Sequence, residues 1–531
     1  MSNKLAALPT ESELRLAISD KWLNRLKRLP LLVKSADKRA KTTHLKSIYF
    51  DTPDKRLAAA DMSLRIREIG RRKLQTLKIG GGWQAGITER IELEGWVNGD
   101  EPTLDLIHAP DIRELLIRNR LWDRLQPSFV TDFRRTSRII KYSGRFGDAG
   151  ISADLDIGEI RSGTRKAAIC ELELELKDGS PTALFELAHA INDNVPVRIE
   201  YRGKAARAEE LQAPLERTPT KGRRPLLPQG SRINESAAAI LKACQKQIAA
   251  NEFPILNTMA PEGPHQMRVA VRRLRAALGM FHAFGDATLI QTLREEGKWL
   301  AGSLGQAREW DVYIAELHDP VEATLGVDIP ALKDLRVLAQ SRQEAGYRDA
   351  RAAVASQRFT SFQLHLGLLI ESMTRSQEKG AFDHLARSEE FAALKLEKRY
   401  RKVRKMGRTA LRGNSVAKHD LRLEMKKMRY ASEFFASLFE PKKARMFSKA
   451  AARLQDLLGY ANDCAVCIEQ MKSLVALETG ENTPALIKAT GIVIGWHGAE
   501  MARADQDVDD AWERFLDVGR FWVNPAAQRA E

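Results

Sequence analysis

The chain has little cysteine and no long apolar run. Its 531 residues include four cysteines, which are too few for a scaffold held by disulfides. Cys464 and Cys467 form a lone C-x-x-C pair in a segment with helical periodicity, and we expect buried thiols there and no metal site. No apolar run approaches the ~18 residues of a membrane span, and the N-terminus lacks the basic and then apolar pattern of a signal peptide. We therefore expect a cytoplasmic protein without a membrane partner.

Several motifs of catalysis and nucleic-acid binding are missing as well. The sequence has no G-x-S-x-G segment, no P-loop and no paired Cys and His, so no covalent nucleophile is expected. It has no helix-turn-helix, zinc-finger or aromatic RNA-binding motif. Residues 395–429 hold 14 Lys and Arg against 3 Asp and Glu, which leaves a nucleic-acid binder open as an alternative on charge alone. Because Trp and Tyr are not interleaved with the basic residues, we do not expect nucleic acid as the partner.

What the chain has in excess is positive charge. Its formal net charge of +15 and pI of about 9.6 predict polyanionic partners. The length predicts two or three domains. Residues 1–211 are rich in strand patterns, residues 212–231 are rich in Pro and Gly as in a linker, and residues 232–531 show helical periods throughout. The predicted fold class is α+β, with a β-rich domain followed by a linker and an all-α domain.

Strand-like runs follow one another through the first domain, many of them with period-two alternation. The runs are His44–Phe50, Ser63–Glu68, Lys73–Ile79, Ile87–Leu93, Phe129–Lys141, Ile151–Ile160 and Ala168–Leu176. Leu14–Leu29 reads as partly helical and Pro181–Asn192 as a helix.

Charged residues on these strands recur two positions apart, so that they share a face. The sets are Glu11, Glu13 and Arg15; Arg65 and Arg67; Glu92 and Glu94; Asp154 and Asp156; and Glu171, Glu173 and Glu175. Any single strand of this kind is typical of an ordinary sheet with a solvated face, and that alternative stays open. If the faces line a closed barrel instead, its carboxylates suit Mg²⁺ or Mn²⁺ and its Arg and Lys suit phosphate oxygens.

The order of these segments resembles the CYTH superfamily of triphosphate-handling enzymes, over about residues 5–210. The likeness rests on Glu11-Ser12-Glu13-Leu14-Arg15, Tyr49-Phe50-Asp51-Thr52-Pro53, Ser63-Leu64-Arg65-Ile66-Arg67, Gln75-Thr76-Leu77-Lys78, Glu92-Leu93-Glu94, Arg135-Thr136, Asp156-Ile157-Gly158-Glu159-Ile160 and Glu171-Leu172-Glu173-Leu174-Glu175-Leu176-Lys177. It implies an antiparallel β-tunnel of eight strands with the charged faces inward. It also implies hydrolysis of tripolyphosphate to pyrophosphate and phosphate, with Mg²⁺ or Mn²⁺ as cofactor.

The resemblance further implies a set of functional residues. The catalytic groups would be Glu11, Glu13, Arg15, Arg65, Arg67, Lys78, Glu92, Glu94, Arg135 and Lys204. The metal ligands would be Glu11, Glu13, Asp156, Glu171 and Glu173. Two positions depart from the family: Arg15 stands for a lysine, and Gly203-Lys204 stands for a Ser-Lys pair. Arginine keeps the charge, so we expect binding to survive. It cannot serve as a proton donor or base, so any contribution of a titratable lysine to the rate would be lost.

The helical half contains an internal duplication. His265, Arg268, Arg272 and Arg275 lie at i, i+3, i+7 and i+10, on one face of a helix. His419, Arg422, Lys426 and Arg429 repeat them at a constant offset (419 − 265 = 154), and Leu304-Gly305-Gln306-Ala307 recurs as Leu458-Gly459-Tyr460-Ala461 at the same offset. A solvated basic face is the alternative for one such helix. Two matched stripes favour a shared groove that binds a polyanion.

These blocks resemble the CHAD domain, a helical domain named after its histidines, over about residues 232–525. The resemblance implies two helical bundles related by pseudo-symmetry and binding of inorganic polyphosphate. The implied binding residues are His265, Arg268, Arg272, Arg273, Arg275, Arg308, His419, Arg422, Lys426, Arg429 and Tyr430. The first Leu-Gly segment departs from the family by running Arg308-Glu309 in place of Arg-Asp. If both histidines contact the polyanion, its affinity should rise between about pH 8 and pH 6.

Proteins in which a CHAD domain follows a CYTH domain are typically inorganic triphosphatases, and this is the function that the resemblance implies. A polyphosphate-binding protein with an inactive tunnel is one alternative, supported by Arg15. A class IV-type adenylate cyclase is another, since the tunnel chemistry occurs in that branch too, but the sequence shows no adenine pocket. The nucleic-acid binder completes the set.

Overall fold

The computed structural model describes residues 10–80, 86–118, 120–212, 217–326, 329–375, 387–411, 415–476 and 483–523. The chain forms two compact units. The first comprises Met1–Arg217 with Ser356–Ser372, and the second comprises Thr218–Ala355 with Met373–Glu531. Among the described residues, no helix combines the length and the apolar character that a bilayer crossing needs.

The first unit is built on an antiparallel sheet that closes on itself. Its strands are β1 (Thr10–Ile18), β2 (Lys41–Asp51), β3 (Met62–Ile69), β4 (Arg72–Ile79), β5 (Thr88–Val97), β6 (Gln126–Gly144), β7 (Gly147–Ser162), β8 (Arg165–Asp178) and β9 (Val197–Ile199). The order is β5-β4-β3-β2-β6-β7-β8-β1-β9 with every pair antiparallel, and β5 also pairs with β1. Strands β1 to β8 therefore form the predicted tunnel, and β9 extends it beside β1.

Short helices accompany this sheet. They are α1 (Leu23–Lys27), α2 (Pro30–Val33), α3 (Arg56–Ala59), α4 (Pro110–Arg118), α5 (Thr182–Asn194) and α6 (Lys204–Gln212). Helix α5 contacts β1, β6, β7 and β8, and Leu184, Leu187 and Ala188 on it are fully buried. Helix α4 packs Ile112 and Leu116 against the apolar cluster of β3 and β4. The apolar strand faces thus lie under helices on the outside.

Charged side chains of the same strands are buried on the inside. Glu13, Arg15 and Arg65 are at most 9% exposed, and Asp156 and Glu171 at most 1%. A solvated outer face cannot account for such burial, because unpaired charges are rarely buried. The alternative of an ordinary sheet with its charges in solvent is therefore excluded for these strands.

The predicted partly helical segment Leu14–Leu29 begins in a strand. Strand β1 runs through Ile18, a 3₁₀ turn follows at Asp20–Trp22, and the helix occupies only Leu23–Lys27. Leu14 and Leu16 are fully buried on one face while Arg15 is buried on the other. Pairing of β1 with β8 and β9 on its two edges outweighs the local helix propensity of this segment.

The second unit is helical. Its helices are α7 (Ile233–Ala250), α8 (Glu252–Asn257), α9 (Glu262–Met280), α10 (Ala287–Ser303), α11 (Gly305–Val312), α12 (Asp319–Leu325), α13 (Ala331–Val354), α15 (Ser388–Ala410), α16 (Ser415–Phe435), α17 (Pro441–Ala476) and α18 (Thr483–Asp517). Helix α14 (Gln357–Arg375) lies between α13 and α15 in sequence and groups largely with the first unit.

The duplication extends to whole helices. At an offset of 154 residues α7 corresponds to α15, α9 to α16, α10 with α11 to α17, and α13 to α18. Even the 3₁₀ turn His282–Phe284 recurs as Ala436–Leu438 (436 − 282 = 154). Cys464 and Cys467 are buried in an apolar cluster with Tyr313, as expected of packed thiols.

Candidate active site

Three carboxylates meet inside the tunnel. Asp156 lies on β7, and Glu171 and Glu173 lie on β8, where Asp156 pairs in register with Glu171. Oxygen atoms of the three groups lie within 4.8 Å of one another. We call Asp156, Glu171 and Glu173 the carboxylate cluster. Three carboxylates this close repel one another unless a cation lies between them.

The ammonium group of Lys204, the first residue of α6, supplies that cation. Its Nζ lies 2.8 Å from Asp156 Oδ2, 2.5 Å from Glu171 Oε1 and 2.7 Å from Glu173 Oε1. Arg207, one turn later on α6, donates from Nη1 to Glu171 Oε2 at 2.6 Å. Burial alone would lower the pKa of Lys204, but Asp156, Glu171 and Glu173 outweigh it and raise it.

Arg135 of β6 flanks the cluster. Its Nε and Nη2 each donate to Asp156 at 2.7 Å, and its Nη1 donates to Asp154 at 3.1 Å. It also pairs with Glu173. Burial opposes the charged forms of both Arg135 and Glu173. The opposite charges prevail, so the pKa of Arg135 is raised and that of Glu173 is held well below its usual range.

A basic wall faces this cluster from β3, with Arg65 and Arg67. Arg65 Nη1 donates to Tyr49 Oη at 3.3 Å, and Arg67 Nε donates to Ser47 Oγ at 3.4 Å. Burial, Arg65 and Arg135 lower the pKa of Arg67 to about 10. Burial would raise the pKa of Tyr49, but the guanidinium groups of Arg65 and Arg67 outweigh it and lower that pKa. Arg67 thus lies among other positive charges, as in a site prepared for an anion.

The remaining predicted groups form pairs on β1, β4 and β5. Lys78 contacts Glu11 and lies 3.3 Å from Glu92 Oε1. Arg65 Nη2 is 3.8 Å from the same Glu92 oxygen. Arg15 pairs with Glu13 and donates from Nη2 to Thr88 Oγ1 at 2.9 Å. Glu94 is exposed and accepts from Thr76 Oγ1 at 2.8 Å.

The structure therefore divides the five predicted metal ligands. Asp156, Glu171 and Glu173 come together, whereas Glu11 and Glu13 are paired with Lys78 and Arg15 and do not join the cluster. The separation follows from register, because Glu13 lies opposite Glu175 and Glu11 opposite Arg90.

The functional residues predicted from the sequence leave out three charged groups of this interior, although the analysis places Asp154 on one strand face with Asp156. Asp154 precedes Asp156 by two positions, and Arg90 precedes Glu92 by two, so the period-two rule applied to sites would have found both. The Nε of Arg90 has no hydrogen-bond partner among the described residues. Arg207 carries no strand signal, but it follows Lys204 at i+3 on a helix.

The carboxylate cluster fits a divalent cation of the Mg²⁺ or Mn²⁺ type. Its donors are all oxygens, which are the ligands that these ions prefer. Lys204 shows that a cation is stable at this point, with three carboxylate oxygens at 2.5–2.8 Å. A metal ion bound here would compete with that ammonium group for the same oxygens.

In the helical unit, α9 contacts α16, so the two basic stripes lie side by side. The repeats use equivalent neighbours. His419 Nδ1 lies 2.8 Å from Asn462 Oδ1, and His265 lies near Arg308, which occupies the position equivalent to Asn462. Arg422 pairs with Asp463 at 3.4 Å. Glu309, the equivalent of Asp463, acts on Arg268 in the same way: burial lowers the pKa of Arg268, and the charge of Glu309 partly opposes that lowering.

The centre of this pair of stripes is short of negative charge. The Nε of Arg272 has no hydrogen-bond partner among the described residues. Burial, Arg422 and Arg272 lower the pKa of Lys426 to about 7. Burial also lowers the pKa of Arg422. The charge of Arg272 adds to this lowering, and the charge of Asp463 opposes it. The cations of both repeats therefore repel one another across the two helices.

Some predicted polyphosphate contacts lie elsewhere. Arg273 is 4% exposed and donates from Nη1 to Gln247 Oε1 at 3.1 Å, so it is part of the core. Tyr430 is also buried. Arg275 is exposed, and Arg429 donates to Glu433 Oε1 at 3.1 Å.

The histidine expectation needs correction in one respect. Burial, followed by the charge of Arg308, lowers the pKa of His265 to about 4. His265 is therefore neutral between pH 6 and pH 8 in the free protein. Titration of His265 in the free protein therefore does not explain a rise in polyphosphate affinity between pH 8 and pH 6.

Comparisons with known proteins match two families, one in each half of the chain. The family model of the CYTH domain matches residues 9–208, and that of the CHAD domain matches residues 239–472. An inorganic triphosphatase of Haemophilus influenzae is 31% identical over 199 residues, which are 37% of this chain and 53% of that protein. An uncharacterized protein of Mycobacterium tuberculosis is 26% identical over 478 residues, which are 83% of this chain and 85% of that protein.

Among solved structures, the CHAD domain from the plant Ricinus communis is 28% identical with a TM-score of 0.49. The matched region covers 57% of this chain and 98% of the plant domain. The closed antiparallel tunnel, the duplicated helices and the two family models agree in order and extent. The chain belongs to the proteins in which a CYTH domain is followed by a CHAD domain.

Proposed function

We propose that the tunnel hydrolyses tripolyphosphate to pyrophosphate and phosphate with Mg²⁺ or Mn²⁺. The observation that carries this proposal is the tunnel interior, where the carboxylate cluster lies opposite the basic wall of Arg65 and Arg67. One side suits a divalent cation and the other suits phosphate oxygens. The match to an inorganic triphosphatase over the tunnel supports the same chemistry.

Each group of residues then has a role. Asp156, Glu171 and Glu173 hold the metal ion, which when bound neutralises phosphate charge and orients the attacking water. Arg65 and Arg67 bind phosphate oxygens, and they stabilise the charge that develops on the leaving pyrophosphate. Arg67 donates to a hydroxyl and not to a carboxylate, so its guanidinium group is available for the substrate.

The cations that now pair with carboxylates complete the phosphate site. Lys78 and Arg135 are held by Glu11, Glu92 and the carboxylate cluster. Lys204, which contacts the same carboxylate oxygens that would hold a metal ion, would then be available to a phosphate oxygen. Arg15 keeps its contacts with Glu13 and Thr88 and acts as a fixed charge, since arginine does not release its proton in the working range.

Phosphate release by the full-length protein tests this proposal. Tripolyphosphate, ATP, thiamine triphosphate and long-chain polyphosphate are compared with Mg²⁺, with Mn²⁺ and with a chelator. Metal-dependent release that is fastest with tripolyphosphate supports the triphosphatase. Tight binding of tripolyphosphate without any release supports the non-catalytic alternative, and release of pyrophosphate from ATP alone supports the cyclase.

We further propose that the paired stripes of α9 and α16 bind inorganic polyphosphate. The carrying observation is the uncompensated charge around Arg272 and Lys426. A polyanion would replace the repulsion among these cations with charge-assisted hydrogen bonds. Affinity should fall steeply with salt, as counterion release requires. Equal affinity for duplex DNA and long polyphosphate at one salt concentration would favour the nucleic-acid alternative.

A further inference from the structure

Helix α14 belongs in sequence to the helical half but packs within the first unit over Ser356–Ser372. It follows the last helix of the first repeat and precedes the first helix of the second, so it has no equivalent in the duplication. Phe362, Leu366 and Ile370 on it are fully buried, and so nearly are Thr360 and Gln363. With so many side chains buried, α14 is part of the packing of the first unit.

Two polar side chains of α14 hold the segment that joins α5 to α6. Thr360 Oγ1 donates to the carbonyl oxygen of Val197 at 2.9 Å. Gln363 Nε2 donates to Tyr201 Oη at 3.1 Å. These hydrogen bonds reach both ends of the segment, and the buried side chains that make them have few alternative rotamers.

Asn192, at the end of α5, holds the same segment from the other side. Its Nδ2 donates to the carbonyl oxygen of Gln357 at 3.0 Å and to Ser361 Oγ at 2.9 Å. Its Oδ1 accepts from the backbone N–H of Val197 at 3.3 Å. Asn192 is fully buried, so these bonds have no competition from water.

The held segment leads directly into the candidate active site. Strand β9 pairs with β1, and the N–H of Glu200 donates to the carbonyl oxygen of Arg15 at 2.9 Å. Lys204 follows Tyr201 by three residues and places its ammonium group in the carboxylate cluster. The position of this segment therefore determines where the ammonium group of Lys204 lies relative to the carboxylate cluster.

We propose that Thr360 and Gln363 are positioning residues which, through Val197–Tyr201, fix Lys204 in the carboxylate cluster. The proposal rests on the proposed function insofar as that cluster is the metal site. Because Lys204 and a divalent cation compete for the same oxygens, a loosened segment should bind Mn²⁺ more tightly. The same change should lower turnover, since Lys204 is then poorly placed to contact phosphate.

The test compares full-length wild type, Thr360→Val, Gln363→Leu and Lys204→Gln. Mn²⁺ binding without substrate is followed by electron paramagnetic resonance of the free ion, and tripolyphosphate hydrolysis is measured in parallel. Thr360→Val removes one hydroxyl at nearly constant volume, and the dissociation constant for Mn²⁺ should fall about 3- to 10-fold, the range that one hydrogen bond supports. Lys204→Gln should lower it at least as far, and Thr360→Ser should restore the wild-type value.

Thr292→Val is the matched control, because the Thr292 hydroxyl donates to Thr288 O within its own helix at 3.0 Å. It should leave Mn²⁺ affinity and turnover unchanged. Tighter Mn²⁺ binding in Lys204→Gln together with wild-type binding in both Thr360→Val and Gln363→Leu overturns the proposal. A wild type that binds Mn²⁺ but releases no phosphate refutes the triphosphatase, while the Mn²⁺ comparison still tests the role of α14.

Discussion

At the scale of single residues, the tunnel is defined by charges that are neutralised unequally. The cations beside the carboxylate cluster have carboxylate partners. In the part of the chain that the structure describes, Arg67 instead donates to the Ser47 hydroxyl at 3.4 Å, and burial, Arg65 and Arg135 oppose its charge. Folding gains little from a buried guanidinium in such surroundings. A phosphate anion is the partner that we propose for it.

Arg67→Gln should therefore separate function from stability. We expect kcat/KM for tripolyphosphate to fall about 100-fold, since a lost charge-assisted contact to phosphate is of order 3 kcal/mol. The melting temperature should stay the same or rise, because repulsion with Arg65 and Arg135 is relieved. Enzyme kinetics and thermal unfolding measure the two effects.

Arg71→Gln is the matched control, since Arg71 is exposed in the turn after β3. It should leave both quantities unchanged. A destabilised Arg67→Gln with normal kinetics would instead assign Arg67 a purely structural role.

Lys426 should govern the pH dependence of polyphosphate binding. Its pKa, lowered to about 7 by burial, Arg422 and Arg272, should rise when a polyanion binds. Above about pH 7, Lys426 then takes up a proton when polyphosphate binds. The affinity is therefore highest below about pH 7 and declines as the pH rises through 8 and 9. Isothermal titration in buffers of different pH measures this slope.

Lys426→Arg should flatten the decline, because arginine stays charged over the whole range. Lys427→Arg is the control on the same helix, where Lys427 Nζ contacts Glu424 Oε1 at 2.6 Å, and it should keep the wild-type slope. An undiminished slope in Lys426→Arg would remove Lys426 from the binding site.

At the scale of elements, residue periodicity and spacing predicted which strands and helices form, but not how the strands are arranged in the sheet. The run Ser63–Glu68 became β3 with one further residue at each end, and the 154-residue offset predicted the pairing of α9 with α16. Pattern alone did not show that β5 closes on β1, and closure with its register is what separates Glu11 and Glu13 from the carboxylate cluster. Strand β1 was mistaken in part for a helix because its two pairing edges are distant in sequence.

The two repeats differ where α10 ends and α11 begins at Gly305, whereas α17 continues through Gly459. A Cβ at residue 305 would lie 2.8 Å from Arg268 Nη1, while a Cβ at residue 459 would meet no atom within 4 Å. Gly305→Ala should therefore displace the Arg268 guanidinium and weaken polyphosphate binding about 3- to 10-fold, the effect of one altered hydrogen bond.

Gly459→Ala is the internal control for this change. It should leave the affinity intact and stabilise α17 by about 0.5–1 kcal/mol, the usual gain of Ala over Gly within a helix. Binding titrations and thermal unfolding of both variants decide the matter. Equal affinities would show that Arg268 does not contact the polyanion.

At the scale of the whole molecule, the two polyanion sites that we propose would account for the net charge of +15. One is enclosed in the tunnel and combines both signs of charge, and the other is formed by helices of two repeats and carries mainly positive charge. The first arrangement suits hydrolysis of a short chain, and the second suits retention of a long one. Composition alone leads to the expectation of polyanionic ligands, and the fold separates the two kinds of site that we propose for them.

The most direct test of this account measures phosphate release from tripolyphosphate by wild type, Glu173→Gln and Asp148→Asn, with Mn²⁺ and with a chelator. Asp148 is exposed at the start of β7 and serves as the control. We predict metal-dependent release by wild type and Asp148→Asn, and a loss of at least about 100-fold in a folded Glu173→Gln. Release that persists with the chelator, or in folded Glu173→Gln, would contradict the assignment of the tunnel as a metal-dependent triphosphatase.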